Sequence, residues 1–270
     1  MHEIEQKKPI VLIKIGGSLI TDKNKPFTVK ERALNIIAGE VKKALESGKQ
    51  LIIGHGAGSF AHVPAKKYQT HKGLLNDKSV EGIAQVANVV HRLNKIVMDE
   101  LLDKGVNAVA VSPLSTMIAK NHQIDTISTE AIELAMSLNI LPVVYGDQIF
   151  DREVGCTIFS TEKVLAYLGL ELMRKGYKIE RVIHCGQTNG VYDENGQTIP
   201  LINSKNFDGI VSLLGGSGGV DVTGGMLHKV EETLSLARQG IPGLIIDGIE
   251  HGTLSDAING KDVLGTRIED

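Results

Sequence analysis

Short apolar, β-branched runs alternate with longer helical patterns along this chain, and that alternation constrains the fold more than any other feature of the sequence. The runs predict strands at residues 10–15, 51–53, 108–111, 142–145, 181–184 and 243–246. The helical patterns fall between them, at residues 29–47, 79–104, 129–138, 160–175 and 223–239. Strands that alternate with helices build βαβ units, so the sequence predicts an α/β fold with a mainly parallel central sheet and helices on both faces.

Length and composition narrow the class of protein. A chain of 270 residues has room for one large α/β domain or for two lobes around a cleft. The irregular stretch 150–159 is the predicted boundary between a lobe at 1–150 and a lobe at 151–270, which would share one continuous sheet. A net charge of −3 and the absence of Trp argue against a nucleic-acid partner.

The cellular setting is also constrained. No apolar run approaches the roughly 20 residues that a membrane span needs, and the polar start of the chain does not look like a secretory signal. Cys156 and Cys185 are isolated in the sequence, which argues against a zinc site and against a disulfide framework. A reducing cytoplasm is the expected location, with no membrane association.

Glycine is overrepresented, at 30 of 270 residues, or about 11% against an average near 7%. Most of the excess lies in four clusters: Gly16-Gly17-Ser18, residues 54–59, residues 215–219 and Gly224-Gly225. Beyond the carboxyl ends of parallel strands, glycine lets successive N–H groups converge on an anion, and the fourth cluster opens a predicted helix whose N-terminus favours phosphate. Tight turns alone would also use glycine, but the repeated placement at strand exits and helix entries favours phosphate binding.

The common nucleotide-binding motifs do not match these clusters. The chain has no G-x-x-x-x-G-K-[ST], so it is not a P-loop protein. Gly54-x-Gly56-x-Gly58 follows a strand but lacks the spacing of G-x-G-x-x-G, and no strand precedes Asp77, which lies at the distance where a ribose-binding acid would be. A dinucleotide-binding dehydrogenase is therefore poorly supported.

Three lysines and a histidine accompany the glycine clusters and favour phosphoryl transfer, which needs cations around the transferred group. Lys14 ends an otherwise apolar strand, where a charge is unfavourable unless it faces a site. Lys23 follows the first glycine turn, and Lys229 lies one turn into the helix that Gly224-Gly225 opens. His62 follows the second glycine cluster and is a candidate donor to an anionic substrate, although lysines and histidines at such places are also common as surface or structural residues.

The residues quoted so far, together with Tyr145-Gly146-Asp147 and Asp221-Val222-Thr223-Gly224-Gly225-Met226, resemble the amino acid kinase superfamily, and within it the isopentenyl phosphate kinase family. The resemblance runs from Lys14 to Gly265-Thr266. It implies an open αβα sandwich, ATP with Mg²⁺, a homodimer, and phosphorylation of isopentenyl phosphate to isopentenyl diphosphate in the alternative mevalonate pathway.

The same resemblance assigns roles to individual residues. The ATP contacts would be Lys14, Gly16, Gly17, Ser18, Gly58, Gly225 and Lys229. The C-terminal lobe is assigned to ATP binding as a whole, and no residue is assigned as a metal ligand. Lys23 would stabilise the transition state. The acceptor, held by the N-terminal lobe, would contact Ala57, His62 and Gly146, with His62 binding its phosphate. The catalytic group would then be Lys14, Lys23 and His62, and the attack would be direct and in line because an acceptor phosphate oxygen is already ionised.

Three places depart from the family pattern and keep alternatives open. Residues 160–163 read Ser-Thr-Glu-Lys where an acidic pair is usual, residues 186–191 read Gly-Gln-Thr-Asn-Gly-Val where an acidic run is usual, and Ala61 replaces the glycine before His62. The first two departures change acidic positions, so they leave the nucleotide and metal preference open. A kinase for another small phosphonate, phosphate or carboxylate, such as fosfomycin, is the nearest alternative, and a nucleotide-binding regulatory module without catalysis is another.

Overall fold

The computed structural model describes residues 8–215 and 225–270. Its centre is an eight-stranded sheet with the strand order β10-β12-β11-β9-β1-β2-β6-β3. The strands of this sheet are β1 Ile10–Ile15, β2 Gln50–His55, β3 Ala108–Ala110, β6 Leu141–Tyr145, β9 Ile179–Gly186, β10 Leu201–Ile202, β11 Gly243–Asp247 and β12 Thr266–Ile268. All neighbouring pairs are parallel except β11 with β12, so the expectation of a mainly parallel sheet is confirmed.

Helices cover both faces of this sheet, as the alternation predicts. The helices are α1 Gly17–Ile20, α2 Glu31–Glu46, α3 Gly58–Tyr68, α4 Asp77–Asp103, α5 Pro113–Thr116, α6 Glu130–Ser137, α7 Thr161–Arg174, α8 Phe207–Gly215, α9 Gly225–Ala237 and α10 Thr253–Ile258. The five predicted helices correspond to α2, α4, α6, α7 and α9, with ends that differ by one or two residues. The described part of the chain holds no helix that is both long enough and apolar enough to cross a bilayer.

The core consists of two apolar layers separated by the sheet. On one face, the side chains of Val11, Ile13 and Ile15 pack with those of α2, α4 and α10. On the other face, Ile10 and Leu12 pack with α7 and with part of α6 and α9. Strand β1 is buried along its whole length, which is typical of a central parallel strand covered on both faces.

A second, four-stranded sheet was not expected from the sequence. It has the order β5-β4-β7-β8, with β4 Met117–Lys120, β5 Gln123–Ile127, β7 Asp147–Asp151 and β8 Gly155–Phe159. Strands β7 and β8 form an antiparallel pair in which Asp147 faces Phe159. The stretch 150–159 is therefore not irregular, and the prediction that it would be so is wrong because the turn at 152–154 is flanked by strands too short and polar to stand out. The division into lobes at 150 and 151 remains a prediction.

Candidate active site

The first two glycine turns pack against each other, backbone to backbone, at the carboxyl ends of β1 and β2. A Cβ on Gly17 would lie 2.5 Å from the backbone nitrogen of Gly58, and a Cβ on Gly56 would lie 2.7 Å from the nitrogen of Gly17. Gly58 also has a positive φ of 50°, and any side chain there would collide with Thr21. The two turns therefore form one unit that only glycine permits.

Gly54 does not belong to that turn, because β2 extends through it to His55. A Cβ on Gly54 would lie 2.6 Å from Cγ2 of Thr161 and 2.9 Å from Cδ1 of Leu165. The missing side chain thus lets the first turn of α7 sit directly on β2. The Thr161 hydroxyl fastens this contact by donating a 2.7 Å hydrogen bond to the carbonyl of His55.

Lys14 is paired with a glutamate that sequence reasoning did not single out. Its Nζ lies 2.6 Å from Oε1 of Glu162, in the first turn of α7. Burial by itself would raise the pKa of Glu162, but the Lys14 ammonium outweighs it and holds that pKa at about 2. The segment 160–163 therefore supplies one carboxylate to the site, although it departs from the usual acidic pair. A glutamate in a helix's first turn is an ordinary N-terminal residue, so its role was visible only after α7 had been placed.

Lys229 comes to the same end of the sheet from α9. Its Nζ lies 3.8 Å from the position that a Cβ on Gly186 would take, at the end of β9. Burial raises the pKa of the Cys185 thiol to about 12. The nearby positive charges of Lys14 and Lys229 both oppose that rise. The structure therefore brings Lys14, Glu162 and Lys229 together near the ends of β1 and β9.

The first glycine turn is also held from two sides. The carbonyl oxygen of Ser18 accepts hydrogen bonds of 2.9 Å from Nζ of Lys30 and of 2.9 Å from Nε2 of Gln187. Gln187 is one of the residues that departs from the family's acidic run, and here it acts as a donor to the turn. Gly16 is fastened by its N–H, which donates to the carbonyl of Cys185 at 2.9 Å.

The predicted acceptor residues lie in the second glycine turn, on α3 and beside the end of β2. Ala57 directly precedes α3, and His62 is exposed in the second turn of that helix. Gly146 is buried, and its N–H donates to the carbonyl of His55 at 3.1 Å. That N–H is consequently already used inside the protein.

His55 itself is fully buried on β2, with Nε2 3.1 Å from the side-chain oxygen of Asn94. Burial lowers the pKa of His55, against the raising effect of its hydrogen bonds. His55 is therefore a buried structural residue at the end of β2, directly before the second glycine turn. Asp147, next to Gly146, is likewise buried, and burial raises its pKa to about 7 although it accepts hydrogen bonds from the N–H groups of Gln148 and Leu114.

Lys23, the residue predicted to stabilise the transition state, is exposed to solvent. It lies on an exposed turn between Thr21 and Val29, which form an antiparallel bridge at the base of the turn. It makes no ion pair with any residue in the ranges 8–215 and 225–270. Gly225 begins α9 with open space where its side chain would be, whereas the predicted cluster after Gly215 and the residue Gly224 lie outside the described residues.

The arrangement offers donors that suit an anionic ligand. Within the described ranges, no three His, Cys, Asp or Glu side chains are grouped so that they could hold a metal. Two lysines and a pair of glycine turns instead face the carboxyl edge of a parallel sheet, where α/β proteins bind their ligands. Lysine ammonium groups and converging backbone N–H groups are the donors that phosphates require.

Nearly the whole chain is similar to known kinases. A family model described as the amino acid kinase family matches residues 9–247. The isopentenyl phosphate kinase of Methanothermobacter thermautotrophicus is 34% identical, and that of Methanocaldococcus jannaschii is 31% identical; each match covers 96% of this chain and 98% of the relative. A crystal structure titled as isopentenyl phosphate kinase superimposes with a TM-score of 0.81 at 29% identity, covering 96% of this chain and 99% of the other.

Proposed function

This chain belongs to the amino acid kinase family, and we propose that it is an ATP-dependent isopentenyl phosphate kinase. It transfers the γ-phosphoryl group of ATP to isopentenyl phosphate and releases isopentenyl diphosphate and ADP, in the alternative mevalonate pathway. The observation that carries the proposal is the match to two relatives of that name at 31 and 34% identity, over 96% of this chain. The Lys14, Glu162 and Lys229 group beside the joined glycine turns supports it from the geometry.

We assign the ATP phosphates to the carboxyl edge of β1 and β9. Lys14 and Lys229 would face the phosphates, and the N–H groups of Gly17 and Ser18 lie in the first turn of α1, where no intrahelical acceptor is available to them. Gly16, Gly58 and Gly225 complete the proposed nucleotide contacts. The Glu162 carboxylate would keep the Lys14 ammonium in place, because a short ion pair restricts an otherwise flexible side chain.

The acceptor lies on the α3 side of the joined turns in this proposal. Ala57 and Gly146 would line the acceptor position, and the exposed imidazole of His62 would bind the phosphate of isopentenyl phosphate. We assign Lys23 to stabilising the transition state, where its long, exposed side chain would reach the transferred group. Its exposure and lack of an ion-pair partner among the described residues leave it available for that role.

The transfer itself needs little covalent help from the protein. A phosphate monoester is mostly a dianion at neutral pH, so an acceptor oxygen attacks the γ-phosphorus directly while the bond to the β,γ-bridging oxygen breaks and ADP leaves. No general base is required. The chain's residues contribute by positioning the two substrates in line and by neutralising the charge that develops on the equatorial oxygens.

Mg²⁺ belongs to the proposal as an ion carried by the nucleotide. Magnesium usually keeps several waters and binds through substrate phosphates with few protein ligands. Such coordination does not require a group of three metal-ligating side chains, and none occurs among the described residues. When bound, the ion would supply charge neutralisation at the β- and γ-phosphates.

We further propose a cytoplasmic homodimer. Both cysteines are free and buried, which agrees with a reducing compartment, and the dimer is what the family resemblance implies. Light scattering after gel filtration tests the homodimer. The expected mass is twice the chain mass of 29.1 kDa. A species at 29.1 kDa at all concentrations refutes the homodimer.

The central experiment measures ADP release with a panel of acceptors: isopentenyl phosphate, dimethylallyl phosphate, fosfomycin, N-acetylglutamate, carbamate and UMP. We expect kcat/KM to be highest for isopentenyl phosphate, and phosphorus NMR to show a diphosphate product. A Lys14→Met variant, which keeps the length of the side chain without its charge, serves as the control for contaminating kinases and should lose the activity.

Two other outcomes would change the assignment. A highest kcat/KM for fosfomycin or N-acetylglutamate would identify a different kinase of the same family. Binding of ATP without turnover of any acceptor would favour the regulatory module.

A further inference from the structure

One buried histidine in the site has no role in the transfer as described. His184 lies on β9 with 3% of its surface exposed, and its neighbours across the sheet are Lys14 on β1 and Ile245 on β11. Its Nε2 lies 3.0 Å from the hydroxyl oxygen of Thr233, on α9. Its Nδ1 has no hydrogen-bond partner among the described residues.

The hydrogen bonds of Thr233 determine which imidazole nitrogen carries the proton. The Thr233 hydroxyl donates to the carbonyl oxygen of Lys229 at 2.6 Å. Since a hydroxyl has a single proton to donate, it accepts from His184, and the ring must be the Nε2–H tautomer. Burial lowers the pKa of His184 to about 3; Glu162 opposes this effect, and the charges of Lys229 and Lys14 add to it. The imidazole is therefore a neutral donor at physiological pH.

Helix α9 packs closely against the sheet around His184 and Thr233. Thr233 is fully buried, and a side chain on Gly243 of β11 would collide with its methyl group. Because Thr233 is one helical turn beyond Lys229, a hydrogen bond at Thr233 fixes the height and rotation of the turn that carries Lys229. The path from β9 to the lysine thus consists of two hydrogen bonds, His184 to Thr233 and Thr233 to the Lys229 carbonyl.

We propose that His184 is a positioning residue for nucleotide binding, which holds the Lys229 turn of α9 at the carboxyl end of β9 through the Thr233 hydroxyl. This inference rests on the proposed function, because it takes Lys229 as a contact of the ATP phosphates. A neutral imidazole suits the position for an electrostatic reason. A lysine or arginine donor would bring a third positive charge, and a buried one, beside Lys14 and the partly buried Lys229, whereas the imidazole supplies the hydrogen bond without that repulsion.

The test uses substitutions that separate the hydrogen bond from the packing. His184→Leu removes the donor and keeps apolar bulk, and Thr233→Val removes the hydroxyl and keeps the shape. His184→Gln places an amide N–H near the position of Nε2 and should restore the bond, as should Thr233→Ser. The affinity for ADP is measured by calorimetry without acceptor, and KM for ATP, KM for the acceptor and kcat are measured at steady state.

We expect His184→Leu and Thr233→Val each to weaken ADP binding about tenfold, the effect of one buried hydrogen bond. KM for ATP should rise in parallel while KM for the acceptor stays unchanged. His184→Gln and Thr233→Ser should remain within about threefold of the wild type. The double variant His184→Leu/Thr233→Val should bind ADP no more weakly than either single variant, because both changes break the same link.

Thr129→Val is the matched control. Thr129 is also a buried threonine whose hydroxyl donates a hydrogen bond, to Glu133 at 2.6 Å, but it directly precedes α6 and makes no contact with α9 or β9 in that bond. This variant should lower the melting temperature without changing ADP affinity. Wild-type ADP affinity in His184→Leu and Thr233→Val, or independent effects that multiply in the double variant, would overturn the proposal. ADP binding is read without acceptor, so a wild type inactive on isopentenyl phosphate refutes the proposed function and leaves this result readable.

Discussion

Replacing Glu162 by glutamine should destabilise the protein by about 3 kcal/mol at neutral pH, and the size of the effect follows from the geometry of its ion pair. The carboxylate lies 2.6 Å from Nζ of Lys14, and both side chains are mostly buried, at 17% and 11% exposed. A pKa near 2 in place of 4.5 corresponds to about 3 kcal/mol of preference for the ionised form. Removing one partner of a buried pair costs roughly 3–5 kcal/mol, so the two arguments agree.

The sign of the pH dependence is fixed by the direction of that pKa. Because the folded-state pKa of Glu162 lies below its ordinary value, the ion pair's contribution to the free energy of unfolding is fully present above about pH 5 and is lost as the pH falls toward the folded pKa of about 2. The difference in stability between the wild type and Glu162→Gln should therefore shrink steadily on acidification.

The assay is urea unfolding of both proteins at pH 7, 5, 4 and 3, with the slopes compared to check that both unfold in the same manner. The matched control is Glu153→Gln, because Glu153 pairs with Lys120 at 3.6 Å with both side chains about half exposed. An exposed pair of this kind contributes less than about 1 kcal/mol. The control should thus be nearly as stable as the wild type at every pH.

The reasoning fails if the loss of stability in Glu162→Gln is the same at pH 3 as at pH 7. A pH-independent loss would mean that the amide disturbs the packing of α7 on β2, and that the charge of Glu162 contributes little. A loss below 1 kcal/mol at pH 7 would show that desolvation of the two charges cancels their attraction.

Three further predictions concern single side chains. Lys23→Ala should lower kcat at least 100-fold with little change in ATP affinity and, because Lys23 is exposed, with a melting temperature like that of the wild type; an unchanged kcat removes it from the mechanism. His62→Ala should raise KM for the acceptor about tenfold and leave KM for ATP unchanged, and an intact kcat/KM for isopentenyl phosphate contradicts the acceptor assignment. Burial raises the pKa of Asp147 to about 7, so the wild type loses stability as the pH rises from about 4 through 7. Asp147→Asn should match the wild type in thermal unfolding at pH 4.5 and be more stable at pH 8; equal stability at both pH values argues against a raised pKa.

Much of the fold was predictable because central parallel strands are apolar on both faces. β1, β2, β6, β9 and β11 are such strands, and their runs stand out in the sequence. The second sheet was not predictable in the same way. Strand β5 exposes most of its residues, and β7 combines two buried aspartates with the buried Gln148, so neither shows the apolar pattern that marks a strand.

The site was predictable where a residue breaks its own local pattern. Lys14 is a charge within a buried strand, and this anomaly predicted polar surroundings, where the structure has Glu162 at 2.6 Å; its role in ATP binding stays a prediction. Glu162 and His184 show no such anomaly, since a first-turn glutamate and a strand histidine are both ordinary in isolation. Their importance depends on the register that sets Lys14 beside His184, and on the packing that brings α7 to β1. Those are long-range relations, which a local pattern does not contain.

Gly54 shows how such a long-range relation can depend on a residue that has no side chain. The position pairs with Lys14 across β1 and β2, and the absence of a side chain there lets Thr161 and the rest of the first α7 turn approach the sheet. That approach is what carries the Glu162 carboxylate to within 2.6 Å of the Lys14 ammonium. A methyl group at Gly54 would have to displace α7 or distort β2, since it would lie 2.6 Å from Cγ2 of Thr161. The position of the Lys14 ammonium therefore depends on Gly54, a glycine inside a strand, so at least one residue of the glycine-rich run is explained by helix packing and needs no ligand to account for it.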